Sequence, residues 1–220
     1  MANLSEYYDG DYHVKRHASL LRDTEYFWAR SEAAKRLYFG RFSQPYGRVL
    51  EYGCGMGQNI ALLKDAVGYD CAEIALTACR NKGIATYTQE KDIPLNAFEF
   101  VLCRHVLEHV EDPLQVLRRL LSFLTGNGTL ILVLPREDQK NSPLTPDLDQ
   151  HLFCWNFRAI NNLVFRAGGI PISEGVEYVV GYRALLWVRR AFGASAYYYT
   201  TLVAGRAFRI GELVIHCRRK

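Results

Sequence analysis

Four residues close together in the sequence have the types and spacing of a site for a cationic ligand. Glu51 follows an apolar pair, and Gly53, Gly55 and Gly57 then alternate with larger residues. Glycine lets the backbone turn sharply and lets a ligand approach it closely. The spacing G-x-G-x-G differs from the G-x-G-x-x-G of dinucleotide sites, and the lysine of a phosphate-binding loop is absent. An acid at such a loop suits a positively charged ligand better than a pyrophosphate.

A second acid stands where a strand is expected to end. Residues 66–70 are predicted to form a short strand that closes on Asp70, roughly 20 residues beyond the glycine loop. In nucleotide-binding folds a carboxylate at this position holds a ribose diol, because it can accept from two hydroxyls. The alternative is that Asp70 caps the helix predicted over 72–82. We favour ribose binding because of the glycine loop upstream.

Three histidines are candidates for proton transfer, since histidine titrates near neutral pH. His105 and His109 follow the fourth predicted strand, and His151 follows a proline-marked loop at 135–150. His151 is our first choice as a catalytic base, because a loop after the fifth strand should overhang the ligand crevice. His105 is the second catalytic candidate and should also contact the ligand bound at the glycine loop. His109 is expected to pack under the helix that follows.

The spacing H-x-x-E-H over 105–109 also raises the question of a metal site. His105, Glu108 and His109 would share one face if this stretch were helical. Magnesium prefers oxygen ligands, and the first position here is a histidine. We therefore predict no metal.

The elements that must position these residues alternate between strands and helices. Strands are predicted to end at Glu51 and to cover 66–70, 84–88, 98–103, 129–134, 177–180 and 212–217. Helices are predicted at 23–39, 58–64, 72–82, 113–124 and 157–167, the last two capped by Asp112 and Asn156. The fifth strand is fully apolar, as expected at the centre of a parallel sheet.

Composition narrows the class of protein. The 220 residues fit one domain, and 49% hydrophobic with 23% charged residues is ordinary for a soluble globular protein. Six cysteines form no C-x-x-C pair, and we find neither a signal peptide nor a membrane-length apolar run. We therefore expect reduced thiols and a cytoplasmic location. The net charge of +4 is mild, and without a basic nucleic-acid module we expect no nucleic-acid partner.

Two motifs make the chain resemble class I S-adenosylmethionine-dependent methyltransferases. E-Y-G-C-G-M-G at 51–57 is similar to the first motif of that family. H-V-L-E-H-V-E-D-P at 105–113 resembles a hallmark of the subfamily that includes quinone and small-metabolite methylases, and so does D-Q-H-L-F-C-W at 149–155. The resemblance covers residues 45–170 well. It implies an α/β, Rossmann-like fold with a seven-stranded, mostly parallel sheet, an antiparallel last strand, helices on both faces and an N-terminal helical lid.

The resemblance implies S-adenosylmethionine as cofactor and S-adenosylhomocysteine as product. The ammonium and sulfonium of this cofactor explain an acid at the glycine loop. The adenine contact falls near Gln89 and Glu90, although the family often has aspartate there and Asp92 competes for the role. The predicted cofactor-binding residues are Glu51, Tyr52, Gly53, Cys54, Gly55, Gln58, Asp70, Cys71, Gln89, Glu90, Cys103, Arg104 and His105.

We expect one methyltransferase domain in four parts: a lid over 1–42, a cofactor-binding core over 43–180, an insertion over 181–211 and a last strand over 212–220. The tyrosines Tyr7, Tyr8 and Tyr12 lie in a polar part of the lid segment. In many enzymes of the resembled class this segment folds over the cofactor, and the alternative is plain surface packing. The insertion carries five arginines, several aromatics and no acid. It is either a helix pair on the sheet edge or a binding element for lipid headgroups or a phosphorylated acceptor.

The expected function is methyl transfer to a small-molecule acceptor. Our first hypothesis is O-methylation of a small metabolite or glycan-type acceptor. One alternative is a methylase of a membrane-associated quinone or lipid-linked substrate, with peripheral membrane contact through 182–210. Another is a non-catalytic cofactor-binding relative, although the intact glycine loop argues against lost cofactor binding. The glycine spacing disfavours a dehydrogenase.

Overall fold

The computed structural model describes residues 12, 15–43, 46–137, 145, 148–178 and 182–220. Tyr7, Tyr8 and the strand end predicted at 179–180 lie outside these described residues, as does most of the loop that precedes His151.

The described chain contains a seven-stranded sheet with the order β3-β2-β1-β4-β5-β7-β6. Its strands are β1 Val49–Tyr52, β2 Ala66–Tyr69, β3 Ala85–Tyr87, β4 Phe98–Arg104, β5 Leu124–Pro135, β6 Gly169–Glu177 and β7 Glu212–Arg219. The pairs from β3 to β5 are parallel, whereas β7 runs antiparallel to both β5 and β6. This confirms the predicted Rossmann-like fold with an antiparallel last strand. The strand order reverses between β1 and β4, which places a ligand crevice beyond their carboxyl ends.

Helices cover both faces of this sheet. They are α1 Ala18–Arg22, α2 Thr24–Ala34, α3 Glu73–Arg80, α4 Pro113–Phe123, α5 Phe157–Ala167 and α6 Leu186–Ala207. A π-helix over Lys35–Phe39 continues α2, and 3₁₀ turns lie at Glu90–Asp92 and Arg183–Leu185.

Alternate residues of the central strand enter two separate cores. Leu130, Leu132 and Leu134 of β5 pack in the core that α4 and α5 cover. Ile131 and Val133 point to the opposite face, where the π-helix and α3 pack. Successive strand residues face opposite sides of a sheet, so an uninterrupted apolar strand needs cover on both faces.

Side-chain caps begin the helices that flank the crevice. The Asp112 carboxylate accepts from the amide of Gln115 at 3.0 Å, ahead of Pro113. Asn156 accepts from the amide of Ala159 at 2.9 Å, and α5 stops at the left-handed Gly168. Both predicted helix starts are therefore confirmed.

Two predicted elements are wrong. Residues 58–64 form consecutive turns instead of a helix, because β2 already begins at Ala66 and leaves too few residues for a stable helix. The sixth strand is Gly169–Glu177, well before the predicted 177–180. Glycine and proline are uncommon in strands, so its glycines and Pro171 did not indicate a strand in the sequence. They are tolerated because β6 is an edge strand.

Candidate active site

The chain turns through the three glycines directly after β1. A Cβ on Gly53 would lie 2.2 Å from Val106 Cγ2, and one on Gly57 would lie 2.5 Å from Ile84 Cδ1. Packing therefore requires glycine at both positions. A Cβ on Gly55 would be in ordinary contact with His17 Nε2 at 3.8 Å, and the φ of Gly55, +48°, is left-handed. A side chain at Gly55 would therefore be strained and would meet His17.

Asp70 joins this loop to the start of α3. Its Oδ2 accepts from the amide of Gly55 at 2.9 Å, and its Oδ1 accepts from the amide of Ala72 at 3.0 Å. The bond to Ala72 corresponds to the capping interpretation, and the bond to Gly55 puts the carboxylate at the loop. Asp70 therefore stands at the position expected for ribose binding while also ordering the helix start.

Buried acceptor atoms without partners collect at the glycine corner. The Glu51 side chain is 0% exposed, and only its Oε1 has a bond, from Asn59 Nδ2 at 2.5 Å. Among the described residues, nothing bonds to Glu51 Oε2, Gln58 Oε1 or Asn59 Oδ1. Burial raises the pKa of Glu51 to about 8. A cluster of unfilled acceptors suits a ligand that donates hydrogen bonds or carries positive charge.

The turn after β4 receives the chain that carries His151. The carbonyl of Glu108 accepts from the amides of Leu152 at 2.7 Å and Phe153 at 3.3 Å. This docking brings the His151 ring to 4.7 Å from that of His109, in an edge-to-face arrangement. The ring of His109, which was expected to pack under α4, therefore contacts His151. Burial, followed by neighbouring His151, lowers the pKa of His109 to about 3.

His151 is held by an acid that the sequence did not reveal. Its Nδ1 lies 2.5 Å from Glu137 Oε1, just beyond the end of β5. A carboxylate on one ring nitrogen fixes the tautomer and leaves the other nitrogen for chemistry. The only advance signal for Glu137 was its place in a loop at the crevice.

Glu108, His109 and His151 together could hold a metal ion. Their ligand atoms all lie within 4.8 Å of one another. Burial raises the pKa of Glu108 to about 8. In the sequence, spacing suggested His105 as the third possible ligand beside Glu108 and His109. In the structure the third residue of the cluster is His151.

Arg104 and His105 belong to a different network, centred on Glu212 at the start of β7. Arg104 pairs with Glu212 and donates from Nε to Tyr38 Oη at 2.9 Å. Tyr38 in turn donates to Glu212 Oε2 at 2.8 Å. His105 has a left-handed φ of +53°, and its Nε2 lies 3.1 Å from Glu212 Oε1. Burial, followed by Arg104, lowers the pKa of His105.

The side chains of two residues predicted to bind the cofactor have other partners. The guanidinium of Arg104 is directed to β7 and the π-helix, and the Cys103 side chain lies in the hydrophobic core. A cofactor contact by either residue would therefore involve the main chain. His105 stays at the carboxyl edge of β4, as predicted.

The remaining predicted cofactor residues occupy the other side of the corner. Tyr52 donates to Glu90 Oε2 at 3.3 Å, and Glu90 Oε1 accepts from Arg119 Nε at 2.9 Å. Gln89 is exposed at the start of the adjoining 3₁₀ turn, and Cys71 is exposed next to Asp70. Cys54 is buried, with its Sγ 3.7 Å from Cys79 Sγ.

The described residues directly before α1, residues 15–17, lie near the glycine corner. Arg16 pairs with Asp149 at 3.1 Å, and His17 is the side chain nearest to Gly55. Burial and the charge of Asp149 raise the pKa of Tyr12 to about 12, and Glu108 and Asp70 add to this effect. The ring of Tyr12 lies next to that of His17, with ring centroids 6.5 Å apart.

The arginines of the insertion find acids outside the insertion. Arg189 makes two bonds of 2.9 Å to Glu32 of α2. The other two pairs are Arg190 with Glu25 and Arg183 with Asp23. Treating the insertion as an unpaired basic patch is therefore wrong for three of its five arginines. No helix in the part of the chain described by the structure is long and apolar enough to cross a membrane.

The last two residues of α6 and the three that follow, residues 206–210, are all exposed. They include Arg206 and Arg209, with Phe208 72% and Ile210 46% exposed. These residues lie next to the start of β7, which pairs with the carboxyl end of β5. They therefore stand at the crevice edge of the sheet.

Known proteins resemble this chain in sequence and in structure. Ubiquinone biosynthesis O-methyltransferase from Xanthomonas campestris pv. campestris is 31% identical over 110 residues, covering 42% of this chain and 44% of that protein. The chain thus spans less than half the length of the curated relatives it matches.

Solved structures share the whole fold at low sequence identity. A SAM-dependent methyltransferase from Thermotoga maritima has a TM-score of 0.65 at 17% identity, over 99% of this chain and 100% of that one. The Burkholderia thailandensis 1,6-didemethyltoxoflavin-N1-methyltransferase, with bound 1,6-didemethyltoxoflavin and S-adenosylhomocysteine, has a TM-score of 0.62 at 16% identity, over 100% and 92%. A family model described as a methyltransferase domain matches residues 12–168, which is most of the chain. The chain therefore belongs to the methyltransferase-domain family.

Proposed function

We propose that this chain transfers a methyl group from S-adenosylmethionine to a small-molecule acceptor and releases S-adenosylhomocysteine. The observation that carries the proposal is the glycine corner with its unfilled acceptors. A side chain at Gly55 would meet His17, and Glu51 Oε2 and Gln58 Oε1 have no hydrogen-bond partner in the described chain. An ammonium and ribose hydroxyls would supply donors to these atoms. Family membership over residues 12–168 supports the same cofactor.

The cofactor supplies a methyl group on a sulfonium that is already activated, so the protein needs no nucleophile of its own. Its residues must bind, align and exclude water. Glu51 would bind the cationic end of the cofactor, and Asp70 would bind its ribose diol. The lid residues Arg16 and His17 cover the corner and limit solvent access.

An oxygen acceptor fits the residues beside this corner best. Glu137 holds His151 through Nδ1, which leaves Nε2 to take the acceptor's hydroxyl proton. S-adenosylmethionine, held by Glu51 and Asp70, would supply the methyl group to this oxygen and would keep the electron pair of the broken C–S bond. His105 is the second candidate for proton uptake. The name of the Xanthomonas relative, an O-methyltransferase, supports an oxygen acceptor.

A membrane-associated quinone or lipid-linked acceptor is the second candidate. Two observations favour it: the name of the same relative, and the exposed residues 206–210 at the crevice edge. Exposed Phe208 and Ile210, next to Arg206 and Arg209, suit shallow insertion among anionic headgroups. Peripheral contact would then involve this tip of the region 182–210, and the ion-paired arginines of α6 would stay with α2.

A transfer assay with labelled S-adenosylmethionine tests the function directly. Catechols, simple phenols, hydroxylated quinones and sugars serve as acceptors. We expect label transfer to at least one oxygen acceptor, and His151→Gln should lower turnover about 100-fold or more while S-adenosylhomocysteine affinity is kept. His216→Gln is the matched control, because His216 lies in β7 on Arg41 and Ser173, away from the crevice. Cofactor binding without transfer to any acceptor class would favour a non-catalytic relative.

A further inference from the structure

Two free thiols are in contact at the glycine corner. Cys54 lies in the corner itself, between Gly53 and Gly55, and Cys79 lies in the last turn of α3. Their sulfur atoms are 3.7 Å apart, although the two residues are 25 positions apart in the sequence. Both side chains are buried, with 1% and 0% of their surface exposed. The fold therefore brings a thiol of the ligand loop onto a thiol of the helix that follows β2.

Glycines of two neighbouring segments make room for this thiol pair. A Cβ on Gly68 of β2 would lie 2.6 Å from Cys54 Sγ, and one on Gly57 would lie 2.9 Å from Cys79 Sγ. The carbonyl oxygen of Gly55 lies 3.9 Å from Cys54 Sγ and 3.4 Å from Cys79 Sγ. The two thiols are therefore enclosed by the corner and share one acceptor on its loop.

We propose that Cys54 and Cys79 form a reversible disulfide that weakens ligand binding at the glycine corner. Hydrogen peroxide serves as the oxidant. One sulfur attacks the peroxide, breaks its O–O bond and becomes a sulfenic acid, with release of one water molecule. The second sulfur attacks the sulfenic sulfur, forms the S–S bond and releases the other water molecule. A thiol reductant restores the two thiols by exchange.

The disulfide would change the shape of the corner. An S–S bond is about 2.05 Å long, so the two sulfurs must approach each other by roughly 1.6 Å. Cys54 is next to Gly55, whose amide donates to Asp70 at 2.9 Å. The helix that carries Cys79 begins just after Asp70, which also accepts from the Ala72 amide. Closing the bond therefore draws the loop and α3 together and displaces the groups at the expected ribose position.

Burial keeps the pair reduced while the corner is closed. Thiolates react with oxidants and thiols do not, and contact with Cys79 followed by burial raises the pKa of Cys54 well above its ordinary value. A ligand that holds the loop in place keeps both sulfurs away from the oxidant. We therefore expect the pair to oxidise more slowly than the exposed thiols Cys71 and Cys154, and more slowly still when the ligand is bound.

The coupling between the disulfide and the ligand acts in both directions. S-adenosylhomocysteine that binds the dithiol form about tenfold more tightly than the disulfide form stabilises the dithiol. Saturating ligand then raises the reduction potential of the pair by about 30 mV. This coupling rests on the proposed function, whereas formation of the disulfide does not.

Peptide mapping of the full chain detects the disulfide directly. Reduced protein is treated with hydrogen peroxide, the remaining thiols are blocked, and a tryptic digest is analysed by mass spectrometry. We expect peptide 49–64 linked to peptide 65–80, with fragment ions that assign the bond to Cys79 and not to Cys71. Calorimetric titration should show S-adenosylhomocysteine affinity about 10-fold lower after oxidation and restored by dithiothreitol.

Two variants and a potential measurement test the switch. Cys79→Ala should keep its S-adenosylhomocysteine affinity after the same peroxide treatment. Cys217→Ala is the matched control, because it removes a buried thiol from the core on the opposite face of the sheet, and it should lose affinity on oxidation as the wild type does. Glutathione redox buffers should give a potential about 30 mV higher with saturating S-adenosylhomocysteine than without it.

Wild-type protein whose exposed thiols are oxidised without any link between Cys54 and Cys79 overturns the inference, and this result needs no variant to fold. A link that leaves S-adenosylhomocysteine affinity unchanged also overturns it.

Titration of the reduced wild type separates this inference from the proposed function. Normal S-adenosylhomocysteine binding without a disulfide after oxidation overturns the disulfide alone. A disulfide in a protein whose reduced form does not bind S-adenosylhomocysteine overturns the proposed function and, with it, the coupling to the cofactor.

Discussion

Three buried carboxylates at the crevice differ in what surrounds them. Glu212 is paired with Arg104 and Tyr38, and despite its burial Arg104 lowers its pKa. Glu51 has one partner, Asn59, and Glu108 has none in the described chain. Glu212 therefore links β7 to β4 and the π-helix. Glu51 and Glu108 keep buried oxygens without a hydrogen-bond partner in the described chain.

The buried state of Glu51 has a consequence for stability. An acid whose pKa is higher in the folded than in the unfolded state binds its proton more tightly when folded. The stability it allows is full below the ordinary value of 4.5 and declines as the pH rises toward about 8. Glutamine does not ionise and should remove this decline.

We predict that Glu51→Gln gains stability relative to the wild type as the pH rises from about 5 to about 8, on the order of 2–4 kcal/mol. Urea denaturation of the ligand-free proteins at several pH values measures the difference. Glu212→Gln provides a contrast, because Glu212 is ionised when folded and its loss should destabilise the protein above pH 4.5. A pH-independent difference for Glu51→Gln would show that this carboxyl is not buried as described.

Asp70→Asn tests the ribose role without removing the order that Asp70 gives to α3. The amide keeps an acceptor for the Ala72 amide, but it loses the charge that favours two hydroxyl donors. We expect S-adenosylhomocysteine affinity to fall by about 1.5–3 kcal/mol, with only a small fall in the melting temperature of the free protein from the lost bond of the Gly55 amide. Calorimetric titration and a thermal melt give the two numbers. Normal affinity combined with a large loss of stability would support the capping role alone.

Residues whose positions follow from local spacing could be predicted, and residues that only the fold brings together could not. Glu51, the glycines and Asp70 are readable because a strand, a turn and the next strand follow directly in sequence. His151 reaches His109 only because its loop docks on the carbonyl of Glu108. No local pattern encodes that contact.

At the scale of elements, α6 is fastened to α2 by ion pairs that span most of the sequence. Arg189 and Glu32 form a two-bond pair that is about two-thirds to three-quarters buried at the side chains, whereas Arg190 is largely exposed. The sequence showed arginines without acids because the acids lie in the N-terminal helix. A basic segment read by itself therefore looked like a surface for anions.

We predict that Arg189→Gln lowers the free energy of unfolding and leaves vesicle binding unchanged. A double-mutant cycle with Glu32→Gln should give a coupling of about 0.5–1 kcal/mol. If the protein binds vesicles of anionic lipid, Phe208→Ser with Ile210→Ser should reduce flotation with them. Phe165→Ser is the control, since Phe165 is also exposed but lies on α5. If flotation depends on Arg189 and not on Phe208, the prediction is wrong and α6 itself binds lipid.

At the scale of the whole molecule, the fold was predictable because its periodicities are local. The apolar fifth strand and the capped helices α4 and α5 appear in the sequence as they do in the structure. The prediction for 58–64 was wrong because the short connection to β2 leaves no room for a helix. The prediction for β6 was wrong because an edge strand tolerates glycine and proline, which local preference disfavours. Both errors leave the crevice in place, since β1, β4 and their turns define it.

The ligand should stabilise the whole domain, because the corner joins β1, α3 and the lid segment. A ligand that binds only the folded state adds about 2.7 kcal/mol when its concentration is 100 times its dissociation constant. For a chain of this size, that corresponds to a rise in melting temperature of roughly 5–11 °C. We predict such a rise with S-adenosylhomocysteine and none with NAD⁺, since the loop spacing and the buried acids disfavour a pyrophosphate.

Gly55→Val should abolish the rise, because valine is strained at a φ of +48° and fills the space beside His17. Gly175→Val on the edge strand β6, where a Cβ meets no atom, should retain it. Equal protection by NAD⁺, or protection that survives in Gly55→Val, would place the ligand elsewhere than at this corner.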